Sequence, residues 1–472
     1  EDGFLELTLA VDFGSTFTKI TALDLVNDEL VGIAKAPSTV ETNIMVGLHE
    51  ALGSLQKKIG TNKLNINQVI SCSSAAGGLR MVVAGLVNEI TTKAAREAAL
   101  GAGAKLVGTY SQGISPDDMK DIELKAPDLI LLTGGTDGGN TQVILHNATV
   151  LGASRLDVPI ILAGNKMAAQ EAQHILETAG KYVVSVENVL PELDRLNVEP
   201  ARTAIREVFL ERIIQAKGID KAQEFVGNAI LPTPMAILKG AALLACGNGT
   251  EEGLGEIIVI DVGGATTDVF SVAYGHPSFP GVILKGLPEP YEKRTVEGDL
   301  GIRYNALTLL ESAGKEKVIQ KIEAVDNCSI QMEKLEKAVQ YLSDHVNTVP
   351  VSREDYLIDV GLASTAVEIA TIRHAGKIKE IYYPSGKVRV QYGKDLTGIK
   401  CVIGTGGIFA SGQEPRRILQ SACFDEKNPD SLRPMDPDFF VDECYILYAI
   451  GLLAEEFPLK ALKIIKKHLR KL

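Results

Sequence analysis

Two stretches of the chain share one pattern of apolar and polar positions. In "LTLAVDFGSTFTKI" (7–20) and in "IIVIDVGGATTDVF" (257–270), an apolar run ends in Asp, a glycine turn follows, and hydroxyl residues open a second run. Each predicts a buried strand, a tight turn and a strand returning beside it. After the first turn, "KITALDLVNDELVGIAKAPS" predicts the second and third strands around an Asn27–Asp28 turn. "IMVGLHEALGSLQKKIG" then places Ile44, Leu48, Leu52 and Leu55 at helical spacing, with Gly60 as a stop.

From about residue 67 the pattern changes. Short apolar runs ("NQVISCSS", "AKLVGTYS", "PDLILLTGG", "VPIILAGN", "KYVVSVEN") alternate with helical stretches ("TTKAAREAALGAG", "SPDDMKDIELKA", "KMAAQEAQHILETAG") across short links. Such alternation predicts a doubly wound parallel α/β sheet, here a separate domain over 67–192. "EPARTAIREVFLERIIQAKG" and "LPTPMAILKGAALLACGNG" read as helices before the second Asp-Gly strand. The region 280–400 mixes helices ("EKLEKAVQYLSDHV", "STAVEIATIRHAG") with a hairpin ("EIYYPSGKVRVQYG"). "KCVIGTGGIFASG" is again strand, glycine turn, helix, and the amphipathic, basic "PLKALKIIKKHLRKL" closes the chain as a helix over 458–472.

Length and composition narrow the classes. At 472 residues the chain exceeds one ordinary core and calls for several domains. A net charge of −12 disfavours nucleic acid or anionic membrane as a general partner. No apolar run reaches the roughly 18 residues of a membrane span. The acidic start lacks the pattern of a signal peptide, so a cytoplasmic protein is expected. Cys72, Cys246, Cys328, Cys401, Cys423 and Cys444 are scattered, which favours reduced thiols over a zinc site or an iron–sulfur cluster.

The Asp-Gly turns carry the chemistry. Glycines let successive backbone N–H groups converge into an anion-binding nest, and Ser or Thr adds hydroxyl donors. A carboxylate beside a phosphate repels it unless a cation lies between. Asp plus nest therefore implies a phosphate held with Mg²⁺. Two such turns about 250 residues apart suggest duplicated halves facing one nucleotide.

"VDFGSTFTK" (11–19) and "IDVGGATTD" (260–268) resemble the two phosphate motifs of the actin, heat-shock chaperone and sugar-kinase ATPase superfamily. "VIGTGGIFA" (402–410) resembles its adenosine motif, and "LPTPMAILKG" and "YAIGLLA" (448–454) its two connecting helices. The resemblance implies an actin-like ATPase fold of two duplicated ribonuclease H-like halves, with the doubly wound domain inserted. It draws the first half over 1–66 and 193–255, the second over 256–457 with an α/β insertion at about 280–400, and the closing helix over 458–472. It also implies that Asp12 and Asp261 hold Mg²⁺ or its waters. Gly14, Ser15, Thr16, Gly263, Gly264, Thr266 and Thr267 would hold the β- and γ-phosphates of ATP. Gly404, Gly406 and Gly407 would admit adenosine, Lys19 would reach a phosphate or stay solvated, and Asp268 would position water or pair within its strand. Where heat-shock ATPases carry a Glu before Pro-Thr, this chain has Leu231, which predicts a slow or partner-stimulated ATPase.

Within that superfamily, "TVETNIMVGL", "SCSSAAGGLRMVVAGL", "AALGAGAK", "LLTGGTDGGN" and "ENVLPELDRLNVEPAR" resemble the MutL (GlmL) family. Members accompany adenosylcobalamin-dependent mutases such as glutamate mutase and are thought to reactivate them. The resemblance implies mutase subunits as partners. A small-metabolite kinase and a filament-forming actin relative are the alternatives. A cobalt-ligating His would lie in Asp-x-His-x-x-Gly, but His146 has Ile144 in place of the Asp, so no direct cobalt ligation is expected. The glycine loop 133–140 reads either as an anion nest or docking tip, or as a tight turn into a helix. The apolar stripe of the closing helix (Leu459, Leu462, Ile465, Leu469) is expected to pack on the body.

Overall fold

The computed structural model describes residues 6–14, 16–39, 43–61, 64–74, 79–85, 104–192, 195–216, 225–226, 230–285, 289–326, 330–383, 386–412 and 414–472. The chain divides into two compact units, one of 1–39, 44–73 and 225–472, the other of 40–43 and 74–224.

The first unit opens with β1 (Glu6–Phe13), β2 (Phe17–Asp24) and β3 (Glu29–Pro37) as an antiparallel meander. Asp28 sits in the turn before β3 at a φ of 55°, as the Asn-Asp pair predicts. Helix α1 (Ile44–Ile59) buries Ile44, Leu48, Ala51 and Leu55. β4 (Asn65–Ser73) then returns parallel to β1.

The second unit carries β5 (Leu79–Gly85), β6 (Ala104–Ser111), α2 (Pro116–Leu124), β7 (Leu129–Leu132), α3 (Gln142–Ala153), β8 (Ile160–Leu162), α4 (Lys166–Thr178), β9 (Val183–Ser185) and α5 (Glu199–Ala216). Its five strands are all parallel in the order β6-β5-β7-β8-β9. β7 is buried at all four positions, as a central strand covered on both faces must be. Two segments change sides relative to the boundaries that the alternation suggests. Residues 67–73 belong to β4, and α5 belongs to the second unit. A strand's partner is set by long-range register, and a short apolar run looks the same in either sheet. The helix expected over 91–103 lies outside the described residues.

The first unit resumes with β10 (Leu231–Pro232), which pairs with β4. There follow α6 (Thr233–Cys246), β11 (Ile257–Val262), β12 (Thr267–Val272), β13 (Val282–Leu284), β14 (Glu292–Glu297), α7 (Ala306–Ala313), α8 (Lys315–Asp326), α9 (Met332–Asp344) and α10 (Arg353–His374). β15 (Lys377–Tyr383) and β16 (Gly386–Tyr392) form the expected hairpin, with β13 at its side. The unit ends with β17 (Cys401–Thr405), α11 (Gly407–Ser411), α12 (Pro415–Gln420), β18 (Asp438–Asp442), α13 (Leu447–Leu453), α14 (Pro458–His468) and β19 (Leu469–Lys471). The closing helix thus stops at His468, and its last residues pair with β18 instead. Of its expected apolar stripe, Leu462 and Ile465 pack inward beside the buried Ala461 and Ile464, whereas Leu459 is exposed and Leu469 lies half-buried in β19.

The two large sheets repeat one topology. The first runs β3-β2-β1-β4-β10 and the second β14-β12-β11-β17-β18-β19. In each, a three-stranded antiparallel meander is followed by two strands parallel to the first, and β19 only extends the second sheet's edge. This duplicated order is the actin-like ATPase fold of two ribonuclease H-like halves. One apolar core joins the halves, drawing Ala10 and Ile70 from the first sheet, Val259 and Phe270 from the second, and Ile237, Leu244, Tyr448 and Ile450 from α6 and α13. A second core lies between the second sheet and α7 to α10.

Helices α6 and α13 cross without room for side chains. A Cβ on Gly451 would lie 1.6 Å from the Ala236 carbonyl oxygen, and one on Gly240 would lie 2.6 Å from that of Leu447. Gly451→Ala should therefore push the helices apart and lower stability by about 1–3 kcal/mol, the usual cost of overpacking. Gly53, in α1, has nothing within 4 Å of its Cβ position, so Gly53→Ala should gain about 0.5–1 kcal/mol. Urea midpoints check both. An unchanged midpoint for Gly451→Ala would show that the crossing is looser than this.

Candidate functional site

The two Asp-Gly hairpins are copies of one turn. Gly14 N donates to Phe17 O at 3.0 Å, and Gly263 N donates to Thr266 O at 2.9 Å. Asp12 then lies across from Lys19, and Asp261 across from Asp268, each pair seven residues apart. A Cβ on Gly14 would lie 2.5 Å from Phe17 O, so the first turn requires glycine. The hairpins face each other: a Cβ on Gly264 would come within 3.7 Å of Thr16 Oγ1. Because the turns' own bonds use the Gly14 and Gly263 N–H groups, a phosphate at the second turn would find those of Gly264 and Ala265, which make no backbone bond among the described residues.

Charge separates the copies. Asp12 is almost fully buried and fully engaged. Its Oδ2 accepts from Lys19 Nζ at 3.0 Å, and its Oδ1 accepts from Thr233 Oγ1 at 2.7 Å and from Cys72 Sγ at 3.6 Å. Register explains this set, since Asp12 lies beside Lys19 on β2 and Cys72 on β4, while Leu231 pairs with Cys72 and so brings Thr233 within reach. Burial disfavours the Lys19 ammonium, but Tyr445 and Asp12 outweigh it and raise its pKa. Asp261 has the opposite surroundings. Its Oδ1 is buried without a hydrogen-bond partner among the described residues. Burial first, and then the like charge of Asp268, push its carboxyl up to about 7.

The remaining predicted residues take varied places. Asp268 accepts from Arg294 Nη2 at 2.9 Å, so it is paired within its own sheet. Thr267 turns its hydroxyl inward, donating to Leu300 O at 2.7 Å. Gly404 faces Phe409, whose ring a Cβ would meet at 2.7 Å. Gly406 has a φ of 106°, and a Cβ there would lie 2.6 Å from Asp261 Oδ1. The Gly406 turn thus abuts the open carboxylate. Gly407 is exposed at the start of α11, Thr266 is half-buried, and Ser15 lies outside the described residues.

Several further residues shape the site without being among the expected site residues. Tyr445, at a φ of 50°, places its ring centroid 3.6 Å from Lys19 Nζ. Asp442 fixes that corner by accepting from the Ile446 and Leu447 N–H groups at 3.1 and 2.8 Å. Tyr448 reaches from α13 to the first sheet, sharing a 2.8 Å hydrogen bond with Thr21 and donating to Ala10 O at 3.3 Å. Arg303 and Asn305 brace the second turn. Arg303 N donates to Gly264 O at 2.9 Å and Asn305 Nδ2 to Ala265 O at 2.6 Å, while Asp359 accepts both Arg303 Nη groups at 2.8 and 2.7 Å. The left-handed corner at Tyr445 and the Asp442 cap are signals only once a helix is known to start there.

In the second unit, the glycine loop 133–140 is tied internally. Asn165 accepts from Gly138 N and donates to the Gly139 and Asn140 carbonyls, and Asn188 donates to Gly135 O and Asp137 Oδ1. His146 sets its Nε2 3.2 Å from Ile114 O.

Comparison with known proteins places the chain. The family model described as MutL protein matches residues 8–469. Protein MutL of Clostridium tetanomorphum is 44% identical over 467 residues, which is 99% of this chain and 100% of that protein. The chain belongs to the MutL protein family. Among solved structures, a gluconate kinase from Lactobacillus acidophilus is similar at 10% identity and a TM-score of 0.33, covering 99% of this chain and 92% of its own. A Plasmodium falciparum glycerol kinase with ADP is similar at 10% identity and a TM-score of 0.34, covering 98% and 93%. Likenesses this distant carry no argument about the site.

The raised Asp261 carboxyl makes stability depend on pH. Between the ordinary value of 3.8 and about 7, the folded chain keeps a proton that the unfolded chain has lost. Stability therefore falls as pH rises through that window, and the loss is complete above it. With a chelator present, Asp261→Asn should exceed the wild type in stability above pH 7 by on the order of a few kcal/mol, and the gap should close toward pH 4. Melting temperatures of both proteins across pH 4 to 8 check this. A gap that does not change with pH would mean that Asp261 ionises as an ordinary carboxyl.

Proposed function

With membership of the MutL protein family as the premise, we propose that this chain is an ATP-binding, chaperone-like reactivating factor. Its client would be an adenosylcobalamin-dependent mutase of the glutamate mutase type. The observation that carries the nucleotide reading is the open carboxylate of Asp261 between two facing glycine turns. A buried oxygen without a donor, on a carboxyl that resists ionising, is a place for a cation. Among the described residues no cluster of three or more metal-ligating side chains would hold a metal ion by itself. That suits Mg²⁺ arriving with phosphate oxygens and water as its other ligands.

Bound Mg-ATP would supply the cleavable phosphoanhydride whose two states the fold can distinguish. The chain's own residues do the holding. Gly264, Ala265 and Thr16 would meet the phosphates, Asp261 would face the cation, and the Gly406 turn would pass beside adenosine. No carboxylate stands at Leu231, so hydrolysis in the free protein would be slow. An inactivated mutase keeps damaged cobalamin in a closed site. Opening that site takes a partner that binds its open and closed states with different affinity. Two halves joined through the crossing of α6 and α13 can close and relax with the nucleotide state and so supply that difference.

The second unit is proposed as the part that meets the client. Its order β6-β5-β7-β8-β9 reverses between β5 and β7, and in open parallel sheets such a reversal places a crevice at the strands' carboxyl ends. A domain of this class can imitate the mutase's own cobalamin domain and compete for its place.

Mg-ATP at a hundredfold excess over its Kd should stabilise the folded chain by about 2.7 kcal/mol. Asp261→Ala should remove most of the Mg²⁺-dependent part. The full chain should restore an inactivated mutase only when ATP, Mg²⁺ and fresh adenosylcobalamin are all present. Joining residue 73 to residue 225 by a short linker should spare the thermal shift and abolish reactivation. Rapid phosphorylation of a small metabolite, with no effect on any cobalamin enzyme, would decide for a kinase.

A further inference from the structure

Lys19 touches both halves of the ATPase fold. On one side its Nζ lies 3.0 Å from Asp12 Oδ2, in the first half. On the other it lies 3.6 Å from the ring centroid of Tyr445, in the second. The ring comes from the corner between β18 and α13, where Tyr445 holds a φ of 50°. A residue with a side chain keeps such a backbone only when its surroundings insist, and strain of this kind gathers at functional sites. Here the insistence is visible. Asp442 accepts from the two N–H groups that follow Tyr445, and this cap sets the corner's path. The ring edge-packs on Tyr448, with centroids 6.4 Å apart.

Lys19 is thus committed to Asp12 while Asp261, the other cleft carboxylate, keeps an oxygen without a partner. A phosphate chain entering between the hairpins would offer Lys19 more negative charge than one carboxylate does. It would also bring its own cation for Asp261. We infer that Tyr445 is a positioning residue that parks the Lys19 ammonium on Asp12 while no nucleotide is bound, and that the phosphates draw Lys19 out of this stack. The inference rests on the nucleotide reading above and adds to it a contact made in the unliganded state alone. The contact spans both halves, so breaking it is part of the step by which nucleotide frees one half from the other.

The sign of the effect distinguishes this role from simple packing. A contact made only without ligand opposes binding, so its removal must tighten binding. By isothermal titration of the 472-residue chain with Mg-ADP, Tyr445→Leu should bind more tightly than wild type. The gain should be between about twofold and thirtyfold, the span of a cation–π contact. Tyr445→Phe, which keeps the ring, should match wild type. Tyr445→Gly also relieves the positive φ, so it provides a ring-free variant that folds even if the leucine variant does not. The chain contains no Trp, so Tyr445→Trp gives a single fluorophore at the stack. Its emission should shift when Mg-ADP saturates the site, and Lys19→Met in that background should abolish the shift. If wild type binds Mg-ADP while Tyr445→Leu and Tyr445→Gly bind equally or more weakly, the parking role is overturned and the nucleotide site stands. An unshifted Trp emission at saturation overturns it as well. If wild type gives no binding heat, the nucleotide reading fails and this inference fails with it.

Discussion

The site depends on what stands across the strand from each Asp. Both hairpins place the cross-strand partner seven residues on, because both close with the same bond from the N–H two residues after the Asp. In the first the partner is Lys19, which neutralises Asp12 within the sheet. In the second it is Asp268, a like charge already committed to Arg294. One backbone device therefore yields a satisfied carboxylate and an open one. The open one, Asp261, is where an incoming cation would gain most, because its buried Oδ1 has no hydrogen-bond partner among the described residues.

Bringing the hairpins face to face is the work of the helices between the sheets. α6 follows directly from β10 of the first sheet, and α13 from β18 of the second. Their crossing at Gly240 and Gly451 brings backbone against backbone, which fixes the halves closely yet leaves no interlocked side chains at that point. Such a contact resists separation but presents few side-chain obstacles to a small change of angle. Tyr448 and Tyr445 extend from the second half toward the first, one to Thr21 and Ala10, the other to Lys19. The second turn is braced separately by Arg303, Asn305 and Asp359, so its backbone is preset rather than shaped by a ligand.

In the second unit, side chains satisfy the groups that a glycine-rich loop would otherwise leave free. Asn165 and Asn188 together engage the N–H of Gly138 and the carbonyls of Gly135, Gly139 and Asn140. The loop 133–140 is thereby a fixed feature of the sheet's carboxyl edge. The loop makes the tight turn that its glycines allow, and the N–H groups of Asp137, Gly138 and Gly139, bonded to Pro191 O, Asn165 Oδ1 and Thr136 O, are donors that an anion nest would need.

Local features of this chain were legible because local chemistry dictates them. Gly14 is required by a carbonyl three residues on, Asp28 by a two-strand turn, and the apolar spacing of α1 by one buried face. Each of these is settled within a few residues, so the sequence alone determined both hairpins, their carboxylates and the alternating pattern of the second unit. What joins distant residues was not legible. β4 takes its place beside β1 rather than in the second unit. Residues 469–471 leave the closing helix to pair with β18. Thr233 reaches Asp12, Arg294 reaches Asp268, and Tyr445 covers Lys19 across more than four hundred residues. Only the tertiary structure decided these, because a strand's neighbour and a carboxylate's counter-charge are chosen by register and packing between segments whose separation leaves no trace in local pattern.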